Sequence, residues 1–294
     1  MYLCFVGSAR VRTLVQDVYI EPIFIPLAME QSMSRTQVEA DYEEYKAAGR
    51  IWGQVPVERF TKVKFARTPQ SIIERYRALP DATTTVSDML DGYGIRGVVA
   101  ASHLKPLIPG KVVVGNAVTL RSIPERKTPT QGYYDKDPIK MSTRENYYPS
   151  EPGDVLVADF GGNPDVSNMG GQSCLVAKSQ GFAGAIVNGA VRDVPAIREI
   201  DYPVWSVGVT PITGKYRMEA MEINGPVVLR DIIVHAGDLI VADDSGICVV
   251  PAELIEKLID EAEQIGKAED TMRDLIKSKA PLDELRPLFR KRYS

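Results

Sequence analysis

Arg192 and Asp193 are adjacent in the chain, and twenty residues separate Arg192 from Gly171. The guanidinium of Arg192 is a planar fork suited to a carboxylate. The carboxylate of Asp193 is an oxygen ligand for a hard divalent cation. Gly170 and Gly171 let a ligand approach the backbone closely. A helix starting at this glycine pair would present the free N–H groups of Gly171, Gln172, Ser173 and Cys174, and such a start attracts anions through its unsatisfied donors and dipole. Together these groups would bind a small 2-oxo acid, its carboxylate on Arg192 and the amides, its keto oxygen on the metal.

The stretch that must position them is Gly153 to Asp193, GDVLVADFGGNPDVSNMGGQSCLVAKSQGFAGAIVNGAVRD. An apolar run, Val155–Ala158, ends in Asp159 and a glycine-rich loop. A short amphipathic run, Gln172–Ser179, follows and is closed by Gly181. A second apolar run, Ala185–Val187, leads through Asn188-Gly189 to Arg192-Asp193. Strand, loop, helix, strand is the order of a βαβ unit, with its strands parallel. The helix then begins at the carboxyl end of the first strand, and the Arg-Asp pair lies just past the carboxyl end of the second. In open parallel sheets those ends share one rim, where ligands bind.

Gly171, twenty residues and Arg192-Asp193 resemble the G-x20-R-D signature of the class II pyruvate aldolases. That family is 4-hydroxy-4-methyl-2-oxoglutarate/4-carboxy-4-hydroxy-2-oxoadipate aldolase, and it shares its fold with the regulator of ribonuclease E activity A (RraA). TVSDMLDGYGIRG (85–97), GNAVTL (115–120), GDVLVADFGG (153–162) and HAGDLIVADDSGICVVP (235–251) extend the likeness over residues 80–275. The resemblance implies an α/β chain with a swivelling β/β/α core, an N-terminal helical extension and a long C-terminal helix, assembled as a homotrimer or homohexamer. It implies Mg²⁺ or Mn²⁺ on Asp193 and the substrate carboxylate on Arg192. It also implies an acidic residue from a neighbouring subunit that hydrogen-bonds the metal waters, a position that Glu269 in KAED resembles. Two positions depart from the family pattern. Ala196 stands where Glu or Asp is usual, and Gln172 follows Gly171 where Glu is common. Losing two carboxylates removes charge that would orient metal waters, which points to weaker metal binding or a different substrate.

Retro-aldol cleavage of a 4-hydroxy-2-oxo acid and decarboxylation of oxaloacetate share one enolate, so one metal site could support both. Arg192 and Asp193 would be catalytic, with Gly171, Gln172, Ser173 and Cys174 also touching substrate. A Schiff-base mechanism needs a desolvated lysine, and neither Lys178 nor Lys215 lies in a clearly apolar segment. The rival reading is a non-catalytic regulator that uses the same fold to bind another protein. That branch lacks the metal-binding Asp, so retention of Arg192 and Asp193 together favours an enzyme.

The chain of 294 residues is 44% hydrophobic and 25% charged, ordinary for a globular protein. A net charge of −4 argues against a dedicated nucleic-acid binder. Cys4, Cys174 and Cys248 show neither metal spacing nor even pairing, so a reducing cytoplasm is the expected setting. Cys174 reads as a small residue packing the helix start rather than a reactive thiol. No apolar run reaches the ~18 residues of a membrane span, and charges interrupt the N-terminus too often for a signal peptide. The histidines, His103 and His235, fall in loop-like segments and give a Ser-His-Asp mechanism little support.

Three regions are expected: an arm with helices over 1–80, an α/β core over 81–251, and a helical segment over 252–294. Ser34 with Gln37 forms a capping box for a helix that Gly49 stops. Thr68-Pro69 opens a second helix, and a third runs from Thr83 to Tyr93. Lys111 to Leu120 alternates as the first strand of the core sheet. Residues 121–152 form a polar insertion with five prolines, read either as a surface loop or as a flap over the site lined by Tyr133, Tyr134, Tyr147 and Tyr148. A short helix over Val194–Ile200 and strands over Pro203–Val207, Val227–Val234, Leu239–Ala242 and Ile247–Val250 follow. Asp243-Asp244-Ser245-Gly246 is a β-turn rather than a calcium loop. From Pro251 a helix carries Leu254, Ile255, Leu258, Ile259, Ala262 and Ile265 on its apolar face.

Overall fold

Val155–Phe160 and Gly184–Val191 are buried at every position. Strands buried on both faces lie inside a covered sheet and read as unbroken apolar runs. The structure, a computed structural model, describes residues 33–291 apart from 138, 139 and 142, so the expected N-terminal arm lies outside the described residues. Three helices come first: α1 (Arg35–Ala47), α2 (Gln70–Ala78) and α3 (Ala82–Gly92). Next are β1 (Val98–Ala100), β2 (Lys105–Pro106), β3 (Val113–Pro124), α4 (Pro129–Tyr134) and α5 (Arg144–Tyr147). The central unit is β4 (Val155–Met169), α6 (Gly171–Ser179) and β5 (Gly184–Val191), followed by α7 (Val194–Glu199). The chain continues through β6 (Val204–Val209), β7 (Met218–Ile223), β8 (Val227–Leu229), β9 (Ile232–Val234), β10 (Leu239–Ala242) and β11 (Gly246–Val250). It ends in α8 (Ile255–Lys277) and α9 (Leu282–Lys291).

The main sheet runs β1-β11-β10-β3-β4-β5-β6-β2, with β7 also paired to β3. Its middle, β3-β4-β5-β6, is parallel and its flanks are antiparallel. Side chains alternate between two cores, as the two-residue period of a strand requires. Leu156, Ala158, Ala185 and Val187 face Cys174, Ala177 and Ile197 from α6 and α7. Val155, Val157 and Ile186 face Trp205, Val234 and Ile240. Each large aliphatic side chain buried this way contributes roughly 1.5–3 kcal/mol. The sheet and its covering helices make the α/β class expected from sequence. Among the described residues no helix is long and apolar enough to cross a membrane.

Several local expectations change. The glycine-rich loop after Asp159 is a bulged extension of β4. From Asp159↔Asn188 to Met169↔Val191, ten steps along β4 match three along β5. The surplus residues are pushed off the ladder, and Gly161 and Gly162 make the turn outward at φ 66° and 69°. Val227–Val234 is not one strand but the β8–β9 hairpin. The insertion is largely ordered: β3 runs on to Pro124, and Glu145, Asn146 and Tyr147 are fully buried. Of the four tyrosines read as a flap, Tyr133 and Tyr134 are exposed and Tyr148 stacks on Trp52. The Ser34 cap forms, its Oγ accepting from the Gln37 N–H at 3.3 Å, yet the reciprocal arm is absent because Gln37 Nε2 donates to Asp41. Ile265 of α8 is exposed, unlike its neighbours on the apolar face.

Candidate active site

Gly170 is extended (φ −147°, ψ −174°) and begins α6 at the end of the β4 excursion. The Arg192 N–H donates to the Met169 carbonyl at 2.9 Å, which draws the end of β5 against the start of α6. Asp193 then adopts the left-handed conformation (φ 58°, ψ 40°) at the head of α7. This turn aims its carboxylate back, so that Oδ2 accepts from the Gly171 N–H at 3.1 Å and lies 3.6 Å from Arg192 Nε. Glycine at 170 is a packing requirement. A Cβ there would lie 2.6 Å from Asp193 Oδ2 and 2.9 Å from Arg192 Cγ. A Cβ on Gly171 would lie 2.8 Å from that of Ala196, so the small residue at 196 is matched to its neighbour.

These groups open on a cavity of about 280 Å³. Arg192, Asp193, Gln172 and Ser173 line it, as do Gly170 and the insertion residues Met141, Thr143 and Arg144. Two anticipated contacts are not made. The Gly171 amide serves Asp193 and is not free for a ligand. Cys174 turns into the core with no exposed surface, and its N–H is bonded to the Gly170 carbonyl at 3.0 Å. Burial, aided by the charge of Asp193, pushes its thiol up to about 12. The free donors of the helix start are therefore those of Gln172 and Ser173.

Ser173 Oγ is held by two hydroxyls from the insertion, Thr143 Oγ1 at 2.7 Å and Tyr147 OH at 3.0 Å. Tyr147 is fully buried, which raises its phenol above the usual range. Tyr147 was among the tyrosines expected over the site, whereas Asn168, Thr143 and Arg144, which also line the cavity, carry no motif in the sequence. Only the period of two, which puts Asn168 on the face of Gly170, could have found one of them. Glu269 does not line the cavity. It sits on α8, which packs on α2, α3 and α9, so a role at this site would have to come from a neighbouring subunit. Lys178 reaches the Ile200 carbonyl, Lys215 lies over the Tyr216 ring, and neither faces the cavity. Asp159, at the other end of the excursion, accepts from Gly161 N, Asn188 Nδ2 and Val228 N and holds the turn together.

Several known proteins resemble this chain. The chain is 31% identical over 206 residues to Protein DlpA of Legionella pneumophila, covering 68% of this chain and 31% of that protein, so it spans about a third of that relative's length. It is 30% identical over 202 residues to a Halalkalibacterium halodurans protein named "Putative 4-hydroxy-4-methyl-2-oxoglutarate aldolase", covering 69% and 86%. The crystal structure of Streptomyces coelicolor RraAS2, described as an unusual member of the RNase ES inhibitor RraA protein family, superposes with a TM-score of 0.59 at 27% identity, covering 71% of this chain and 99% of that one. The family model described as RraA-like (Aldolase/RraA) matches residues 83–249, from α3 through β11 and across the whole βαβ unit that builds the cavity, and the chain belongs to that family.

Proposed function

We propose that the protein is a divalent-metal-dependent carbon–carbon lyase acting on a 2-oxo acid. The reaction is retro-aldol cleavage of a 4-hydroxy-2-oxo acid to pyruvate, decarboxylation of oxaloacetate, or both. The observation that carries this reading is the convergence of the Arg192 guanidinium and the Asp193 carboxylate on one cavity at the open end of α6. Relatives named as putative aldolases at 30–34% identity support it.

The residues fit a divalent ion. Asp193 Oδ2 is engaged by Gly171, while Oδ1 accepts no hydrogen bond among the described residues, and the side chain is 46% exposed. One carboxylate among hydroxyls and amides suits Mg²⁺ or Mn²⁺, which take one or two carboxylates and otherwise keep water. Such an ion would draw off the negative charge that develops on the keto oxygen as the carbon–carbon bond breaks. Arg192 binds the substrate carboxylate through its planar fork, with the Gln172 and Ser173 amides as further donors. Ser173 Oγ, fixed between Thr143 and Tyr147, can hold or pass on a proton inside the cavity.

Oxaloacetate turnover with Mg²⁺, with EDTA and in Asp193→Ala tests the assignment. Activity should appear with Mg²⁺ and fall to background in the other two. Turnover that persists in EDTA or in the variant would sink the metal-dependent mechanism, and no turnover at all would favour a non-catalytic binding protein.

A further inference from the structure

Thr213 lines the cavity at Arg192 and Asp193, and it also lines a second cavity of about 420 Å³. Between β6 and β7 the chain is tied to β4. The Ser167 N–H donates to the Ile212 carbonyl at 3.0 Å, and the Gly214 N–H to the Ser167 carbonyl at 2.6 Å. Thr213 is thereby held beside Ser167, and Lys215 and Tyr216 stand on the turn that follows, where Tyr216 takes the left-handed conformation (φ 59°). Helix α4 of the insertion seats on that turn. A Cβ on Gly132 would lie 3.1 Å from Tyr216 Cδ1, so glycine there lets the helix lie close against the ring.

The two cavities differ in chemistry. Among the described residues the first has no aromatic ring on its wall, whereas the second has Tyr133, Tyr134 and Tyr216. Tyr133 and Tyr134 are 67% and 74% exposed, and their rings meet edge to face at 6.0 Å, an arrangement that a further ring can join. Lys215 lies 4.9 Å from the centroid of the Tyr216 ring, and Arg217 donates to the Thr213 carbonyl at 3.0 Å. Neither cation meets a carboxylate among the described residues, and such groups are drawn to the electron-rich face of a ring. The lengths agree. Gly170, packed against Asp193 and Arg192, stands three residues beyond Ser167, at most about 10 Å along an extended chain, and bridged strands lie about 5 Å apart. Thr213 is thus within roughly 11 Å of Gly170. On a 4-hydroxy-2-oxo acid, a methyl group at C4 ends about 4 Å from the keto carbon and the far carbon of a phenyl group about 7 Å, at about 1.5 Å per bond. The phenyl group covers most of that separation and the methyl group does not.

We propose that the site cavity continues over Thr213 into the tyrosine-lined groove, and that the protein takes 4-hydroxy-2-oxo acids whose C4 carries an aromatic group. The inference rests on the lyase reading above and adds the half of the substrate that leaves as the aldehyde. The carboxylate and keto group stay at Arg192 and Asp193, and the ring lies among Tyr133, Tyr134 and the two cations. Cleavage breaks the C3–C4 bond, and its electron pair passes to C3 as the enolate of pyruvate. The C4 hydroxyl loses its proton and becomes the carbonyl of an aromatic aldehyde. One proton added at C3 completes pyruvate, so the step balances without a co-reactant.

The test measures kcat and KM of the full chain with Mg²⁺ on 4-hydroxy-2-oxo-4-phenylbutanoate and 4-hydroxy-2-oxopentanoate, which differ in phenyl for methyl, with oxaloacetate as a third substrate. The wild type should release benzaldehyde and pyruvate from the first. The variant Tyr133→Ala/Tyr134→Ala, altered at two exposed positions, should lower the phenyl-to-methyl ratio of kcat/KM by about 10-fold, chiefly by raising KM, since two ring contacts are worth a few-fold each. Tyr133→Phe/Tyr134→Phe keeps both rings and should keep the ratio. A ratio unchanged by the alanine pair overturns the groove, and a ratio that falls equally in the phenylalanine pair overturns recognition through the rings. A wild type that turns over the methyl compound or oxaloacetate but not the phenyl compound also overturns the groove, and leaves the metal-dependent lyase standing. A wild type that turns over none of the three overturns both assignments.

Discussion

Gly170→Ala separates the site from the fold. At φ −147° and ψ −174° the backbone suits any L residue, so alanine brings no conformational strain. The added methyl would lie 2.6 Å from Asp193 Oδ2, 2.9 Å from Arg192 Cγ and 3.1 Å from Arg192 Nε. Carbon–oxygen contacts are comfortable at about 3.3 Å or more, so the carboxylate must retreat by roughly 0.7 Å and bend away from the Gly171 N–H. Asp193 Oδ2 ends its side chain and Arg192 Cγ lies midway along its own, but the two side chains are 46% and 42% exposed, so they can rotate without disturbing the core. The fold therefore loses at most one hydrogen bond, about 0.5–1.5 kcal/mol. The site loses much more, because a misplacement of ~1 Å can cost about 100-fold in rate. Three measurements bear on this: kcat/KM for oxaloacetate with Mg²⁺, Mn²⁺ affinity by electron paramagnetic resonance, and urea denaturation. We expect turnover down roughly 10- to 100-fold, weaker Mn²⁺ binding and near-native stability. Wild-type turnover and Mn²⁺ affinity in the alanine variant would refute the cradle, and so would a loss of several kcal/mol of stability.

Three further outcomes follow from neighbouring geometry. Gly171→Ala presses a methyl against Ala196 at 2.8 Å, where both carbons are fixed to backbone, so we expect about 1–3 kcal/mol of destabilisation. Ala196→Gly should recover part of it, and additive effects in the double-mutant cycle would disprove the contact. Burial holds the Asp238 carboxyl at about 6, although it accepts from the His235 and Ala252 amides. Because the folded pKa lies above the unfolded one, the folded state holds the proton more tightly. The contribution is full below about pH 4 and lost as pH rises through 6, on the order of 3 kcal/mol. The stability of wild type relative to Asp238→Asn should thus fall as pH rises from 4 to 6, and parallel curves would contradict the assignment. Cys174 and Cys248 are both pushed up to about 12 by burial. In a Cys4→Ser variant neither should react with a disulfide reagent at pH 8 before urea is added, and rapid native labelling would show that the helix start is open.

What could be read from the sequence was what neighbours in the chain decide. The apolar runs at Val155–Ala158 and Ala185–Val187, with a glycine-opened helix between them, force parallel strands and a common rim, and the structure has both. The character of Cys174 as a packing residue was legible for the same reason. Contacts made across the fold were not. Ser173 gives no sign that Thr143 and Tyr147 will hold its hydroxyl, since they stand 30 and 26 positions earlier in the chain. The glycines after Asp159 read as a loop because residues leaving a ladder and residues in a turn share composition; only the partner strand shows that ten steps answer three. The Gly171 amide was misassigned as a ligand donor because nothing local reveals that Asp193 folds back in the left-handed conformation to claim it.

The groups that line the cavity are held by different means. Arg192 and Asp193 sit at the junction of β5, α6 and α7, where a glycine pair, Ala196 and the Met169 carbonyl fix their backbone. Arg144 belongs to α5, a single turn of helix, and its neighbour Glu145 is what fixes that turn. The Glu145 carboxylate is fully buried and accepts from the backbone N–H groups of Gly53, Gln54 and Val55. A buried carboxylate without those donors carries a large desolvation cost, so α5 is held only while the segment after α1 stays in place. Glu145→Gln can still accept through one oxygen but turns its amide toward an N–H donor. It should loosen α5, and with it Arg144 and the Thr143 and Tyr147 hydroxyls, while the β5–α6–α7 junction keeps its form. Glu145→Gln should therefore raise KM for oxaloacetate, while Mn²⁺ affinity, set at the Asp193 junction, stays near wild type. A parallel loss of Mn²⁺ affinity would mean that the insertion supports the whole cavity and not its own side of it.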